Sequence, residues 1–456
     1  MPTPANDRSL ENQIDQWRSY LLRRQAIHSV DVAELEDHLR EQIAALVKAG
    51  LSSDEAFLVA VKRMGALDAL SREFAREHSE RLWKQLVVLS SDAGGQGAQT
   101  RLDAFIIFVL AVAAAVLVKL PELFGMRIGE DDGFYARNAS LFVLPLLSGY
   151  FVWKRQLGMS MVRWLVVAFA LGALFANLYP FPLKSNTEVL SALHLPIALW
   201  VVVGIAYAGG RWGEVAGRMD FIRFSGELFI YYVLIALGGG VLTGFLVMMF
   251  EMIGMNAEWF IQSWLLPCGA AGAVLVASWL VEAKQSVIEN MAPVLTRLFT
   301  PMFAILLVTF LATLLVTGRG MNIEREILIA FDLLLVVVLG LLLYSVSARD
   351  SSLPPGIFDG MQVLLVISAL LVDVVALWAI SVRITEMGFT PNRVAALGVN
   401  IILLINLAWS AVLYLRFLRD RGPFTDLERW QTNYLPVYAV WAAIVVIVFP
   451  VVFGYI

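Results

Sequence analysis

"MQVLLVISALLVDVVALWAISV", residues 361–382, decides how the whole chain is read. These 22 residues hold one ionisable group, Asp373. A helix of about 20 apolar residues is what it takes to cross a hydrocarbon core roughly 30 Å thick. Ten further runs of the same kind lie near 103–123, 138–153, 161–179, 189–208, 226–250, 259–281, 300–317, 327–346, 395–415 and 434–454. The expectation is therefore an all-α chain with a transmembrane bundle of about eleven spans over 103–456. The second and seventh runs are short, which leaves room for one of them to be re-entrant.

Composition agrees. The chain has 456 residues, 59% apolar and 16% charged, with a mean hydropathy of +0.73, outside the range of water-soluble globular domains. The charge is concentrated at the start: 13 of the 34 basic and 15 of the 38 acidic residues fall within the first 102. That distribution describes a soluble head on a membrane body. A net charge of −4 gives no support to nucleic-acid binding, and a single cysteine, Cys268, excludes an intrachain disulfide. "MPTPANDRSLENQIDQW" has no apolar core of a signal peptide, so the head is expected in the cytoplasm.

The head, residues 1–89, reads as four amphipathic helices. Leu10, Ile14, Trp17 and Leu21 recur at helical spacing, as do Leu35, Leu39, Ile43 and Leu46. Asp31 is placed to cap the second helix and Gly50 to end it. Ser52 and Glu55 form an S-x-x-E capping box with Leu51 as the staple residue before it. Phe57, Ala60, Val61 and Met64 then give a third apolar stripe, and Leu67, Leu70 and Phe74 open a fourth helix running to about Leu86. "SSDAGGQGAQ", residues 90–99, reads as the core of a flexible linker over 90–102.

Residues 30–80, with "ELEDHLREQI", "AGLSSDEAFLVAVKRMG" and "ALDALSREFA" in that order, resemble the permease prefix (HAAS-type) domain. The resemblance implies a module that precedes bacterial membrane proteins and permease subunits and mediates interaction or signalling. It brings a cytoplasmic protein partner and no catalytic residue. In the body, "SVRITEMGFTPNRVAALGVN", residues 381–400, is similar to a loop of a polytopic bacterial membrane protein family, a domain-of-unknown-function family. The matching positions are Arg383, Ile384, Gly388, Phe389, Thr390 and Arg393; that family often has Tyr before the glycine, where this chain has Met387. This implies a bacterial source and a polytopic fold, with no assigned activity.

Loop charges set the expected orientation. With the N-terminus inside, thirteen Lys and Arg fall in cytoplasmic loops against seven outside, as the positive-inside rule requires. An odd number of spans then puts the C-terminus outside a bacterial inner membrane.

Few residues offer chemistry. Asp332 and Asp373 lie deep in spans, where an ionised aspartate costs about 2.5–3.5 kcal/mol on insertion scales. Each is either a proton or cation relay or a hydrogen-bonding group that packs against Asn400, Asn406 or Gln262. Arg383, Glu386 and Arg393 bracket an external loop, as contacts for an anionic ligand or lipid headgroup, or as flanks of a helix that Thr390 caps and Pro391 begins. His194, beside Pro196, either lines a cavity or is a packing histidine. The four histidines form no metal-binding spacing, and no metal or cofactor is expected. Gly240-x-x-x-Gly244 favours close helix packing. No Walker A, G-x-S-x-G or Cys-x-x-Cys occurs. The preferred reading is a non-enzymatic sensor, regulatory or accessory membrane protein, in contact with the lipid bilayer, whose head binds a cytoplasmic partner. The alternatives are an ion-coupled secondary transporter using Asp332 and Asp373, and a membrane-embedded transferase.

Overall fold

The computed structural model describes residues 10–11, 13–14, 29–64, 95–182, 185–252, 254–283, 291–317 and 325–456. The chain divides into two compact units, Met1–Arg101 and Leu102–Ile456.

In the first unit, α1 (Ser29–Lys48) and α2 (Ser53–Met64) pack together. Leu39, Ile43 and Leu46 of α1 and Ala56, Phe57, Ala60 and Val61 of α2 close a small core with Ile14. The capping box forms as the sequence reads: Glu55 accepts from the Ser52 N–H at 3.0 Å, and Ser52 Oγ accepts from the Glu55 N–H. Leu51 packs onto that core, and Gly50 turns the chain with φ +101°, a conformation open to glycine at no steric cost. Helix α1 begins two residues before Asp31, the residue read as its cap. Trp17, Leu21 and the fourth helix, expected from Leu67 to Leu86, lie outside the described residues.

Helix α3 (Gly95–Lys119) starts within the stretch read as linker. Gln96, Ala98 and Gln99 are good helix formers, and once the apolar run beyond them is helical, propagation toward the N-terminus costs little.

The body continues as α4 (Asp132–Lys154), α5 (Met159–Leu178), α6 (Asn186–Ala208), α7 (Val215–Met252), α8 (Glu258–Ala283, with a π turn at Ile261–Leu265), α9 (Met291–Thr317), α10 (Arg325–Ala348), α11 (Ile357–Met387), α12 (Pro391–Leu418), α13 (Thr425–Ile447) and the short α14 (Phe449–Val452). Among the described residues, nine helices are long and apolar enough to cross a membrane; α4 and α13 are the two of the eleven long helices that are not among them. Both pack on α6. They bury Asn138, Ser140 and Ser148 on α4 and Gln431 and Thr432 on α13. A helix face packed on other helices tolerates polar residues, which lower the helix's apparent apolarity. The two runs read as short lie in continuous helices of 23 and 27 residues.

Two cores organise the body. One joins α3 to α8 around Leu147, Phe151, Phe224 and Leu275; the other joins α9 to α13 around Leu307, Leu335, Val366 and Leu407. Helix α7 serves both with its first half, Met219 and Ile222 on one side and Phe221 and Phe224 on the other. Its most apolar 18-residue stretch is not buried at all. Outward-facing residues such as Phe108, Trp164, Phe229, Ile305 and Leu333 are exposed apolar groups, the surface a bilayer solvates and water does not.

Candidate functional site

Asp332, Asp373 and Asn400 sit on α10, α11 and α12, three helices that pack on one another. Asn400 Nδ2 donates to Asp332 Oδ1 at 2.8 Å and to the Ala396 carbonyl at 2.8 Å. Asp373 and Asn400 are fully buried, yet both oxygens of Asp373 and Oδ1 of Asn400 meet no hydrogen-bond partner. The other two amides considered as partners are used elsewhere. Asn406 joins Gln431 and Ser410 in a buried network, and Gln262 donates to Glu258 at 3.0 Å. Asp332 is thus a satisfied packing group, whereas Asp373 is an orphan.

The loop between α11 and α12 is tied to the helix ends. Thr390 Oγ1 accepts from the Arg393 N–H, and Pro391 opens α12. The Arg393 guanidinium donates to the Met387 and Gly388 carbonyls at 3.0 and 2.8 Å, closing the end of α11. Among the described residues no ion pair joins Arg383 or Glu386 to it.

Sequence reading missed an apolar cavity of about 1200 Å³ between the two cores. Helices α3, α4, α6, α7, α8, α9, α10, α12 and α13 all contribute to its wall, which is why no local signal announces it. His194 is part of that wall, with Nδ1 bonded to the Leu190 carbonyl at 2.8 Å. Ser140, Tyr344, Tyr438 and Trp441 also line it, but their polar atoms have neither accessible surface nor a partner, so the space presented to an occupant is hydrocarbon. Exposed Ile197, Phe229 and Val336 stand at its edge, which places the opening on the apolar outer surface. The close contacts beside it are made by lone glycines. A Cβ on Gly226 would come within 2.5 Å of the Tyr344 ring, and one on Gly398 within 2.0 Å of Trp441. Gly240 and Gly244 face open space, so the G-x-x-x-G run packs no helix among the described residues.

Polar tethers at the helix ends also escaped the sequence. Arg349 pairs with Asp359 at 2.8 Å and lies over the rings of Phe417 and Phe424, 4.6 and 4.4 Å from their centroids. Lys154 and Arg155 both reach Glu282, and Arg137 pairs with Glu188. Their partners lie far apart in sequence, and only tertiary structure joins them. No cluster of three or more His, Cys, Asp or Glu that could hold a metal ion occurs among the described residues.

Fold and site together define a class: an all-helical membrane protein of multi-pass type. Comparison of the chain with protein-family models, curated proteins and solved structures finds no match.

Proposed function

We propose that this chain is a non-enzymatic regulatory or accessory protein of a bacterial inner membrane, whose body responds to a hydrocarbon-rich ligand drawn from the bilayer. The head, on the reading of a permease prefix-like module, binds a cytoplasmic protein partner. The cavity carries this reading. It is larger than the roughly 300–1,000 Å³ typical of drug-sized ligands, is lined by hydrocarbon, and opens beside lipid-facing side chains. In this arrangement all eleven long helices span, with α4 and α13 shielded by their neighbours, the N-terminus inside and the C-terminus outside.

A diazirine-bearing fatty acid, photolysed with the full chain in vesicles and mapped by mass spectrometry, tests the ligand. Label should concentrate on the cavity-facing residues of α7, α8 and α10, and Ala270→Trp, which fills the space, should reduce it several-fold. Uniform labelling of the outer belt, insensitive to that substitution, would sink the reading. Thiol labelling in a Cys268→Ser background tests orientation: an impermeant reagent should reach Glu130→Cys from outside and Ser351→Cys only after lysis.

A second reading, ion-coupled transport, is favoured by one observation, the unpartnered buried Asp373. Loss of a pH-driven flux in a folded Asp373→Asn protein would select it.

A further inference from the structure

Asp373 sits midway along α11, and nothing around it supports a negative charge. Its oxygens have no open surface and accept from no N–H or O–H. The helices packed on α11 are α9, α10 and α12. The arginines of these helices, Arg297, Arg325, Arg393 and Arg416, lie toward helix ends, as does Arg383 on α11 itself, and none pairs with Asp373. Of the acids, Asp359 on α11 is taken by Arg349, Glu386 lies at the far end of α11 and Glu326 at the start of α10, and Asp332 lies within α10.

Asn400 supplies a second, separate observation. Its amide nitrogen is spent on Asp332 and on the Ala396 carbonyl, while its fully buried Oδ1 has no donor. Asp373 and Asn400 thus carry between them three buried acceptor oxygens, two on Asp373 and one on Asn400, that receive no hydrogen. Buried polar atoms in folded proteins nearly always find a partner, and each exception calls for an explanation such as an unseen ion or water.

We propose that Asp373 is an occluded proton-binding site, in which Asp373 takes up one proton as a neutral acid, whereas Asp332 is held by the Asn400 amide. The step is simple: a proton from water forms an O–H bond on Asp373, and release reverses it. A metal cation fits poorly, since calcium and magnesium take six or more oxygen ligands and these oxygens have no open space around them. Water reaches Asp373 only if α11 shifts against α10 or α12, so proton exchange is tied to the packing of α11. This inference does not rest on the cavity and stands or falls separately from the ligand reading.

Infrared spectroscopy of the full-length protein in vesicles at neutral pH, with and without ¹³C-aspartate, tests it. The expected result is a protonated-carboxyl band that shifts on labelling, exchanges slowly in D₂O, disappears in Asp373→Asn and persists in Asp332→Asn. If Asp373→Asn does not fold, persistence of the labelled band in Asp332→Asn decides for Asp373. Absence of any labelled protonated band, or its loss in Asp332→Asn alone, overturns the proposal. A sodium-dependent rise in Tm that Asp373→Asn abolishes also overturns it, by assigning the site to a metal cation.

Discussion

Asn400 on α12 holds Asp332 on α10 through a 2.8 Å hydrogen bond, and the neighbouring Asp373 is left with none. Two aspartates that look alike in sequence therefore answer differently to substitution. Asn400→Leu should lower stability by about 0.6–1.7 kcal/mol, the range for hydrogen bonds between membrane helices. Asp373→Val removes an unpaired polar group, whose burial costs about 1–3 kcal/mol, and should leave stability unchanged or raised. Reversible unfolding in mixed micelles reads both. A larger loss from Asp373→Val than from Asn400→Leu would show that Asp373 has a stabilising partner.

Glycine substitutions should separate the true helix contact from the apparent one. Gly226→Ala drives a methyl into the Tyr344 ring and is expected to cost about 1–3 kcal/mol, the usual penalty of overpacking. Gly240→Ala meets open space and should be neutral or gain up to about 1 kcal/mol from helix propensity. Melting temperatures in detergent should rank the two variants on opposite sides of the parent.

The Arg349–Asp359 pair is largely buried, its side chains 14% and 6% exposed. Asp359→Leu leaves the part-buried Arg349 guanidinium with only the Asp350, Leu353 and Pro354 carbonyls to receive its N–H groups, so it should destabilise the body by up to about 3–5 kcal/mol. Arg349→Lys should not restore the parent Tm, because an ammonium reproduces neither the two bonds to Asp359 nor the planar stack between Phe417 and Phe424. Thermal unfolding of both variants checks this.

The head should lose stability in acid. The hydrogen bond from Arg40 holds the Glu11 carboxyl below the usual glutamate range, and the Ser52 hydroxyl and N–H do the same for Glu55. A carboxyl whose folded value is depressed stabilises the fold above its unfolded value, about 4.3 for glutamate, and that contribution disappears as pH falls through the folded value. Residues 1–89, expressed alone, are expected to be soluble and helical, with a Tm flat near neutrality and falling below about pH 4. A random-coil circular dichroism spectrum at pH 7 would refute the head's independence, and a Tm indifferent to acid would refute the two contacts.

Local order was written in the residues. The 361–382 run fixes a helix because its only ionisable side chain is one carboxyl, and Ser52 with Glu55 fixes a cap because the two groups that satisfy each other are three residues apart. Periodicity, caps and hydropathy act over one or two turns, so a linear reading reaches them. The same reading took part of α3 for linker, and Gly240 and Gly244, read as a packing seam, meet no neighbour among the described residues, since small residues allow close approach or flexibility without requiring either. Which aspartate is paired, and that nine helices contribute to one apolar cavity, were decided by tertiary structure alone. Those features depend on how helices rotate and cross against partners hundreds of residues away, where shape, burial and the matching of single donors to single acceptors choose among neighbours that hydropathy cannot tell apart.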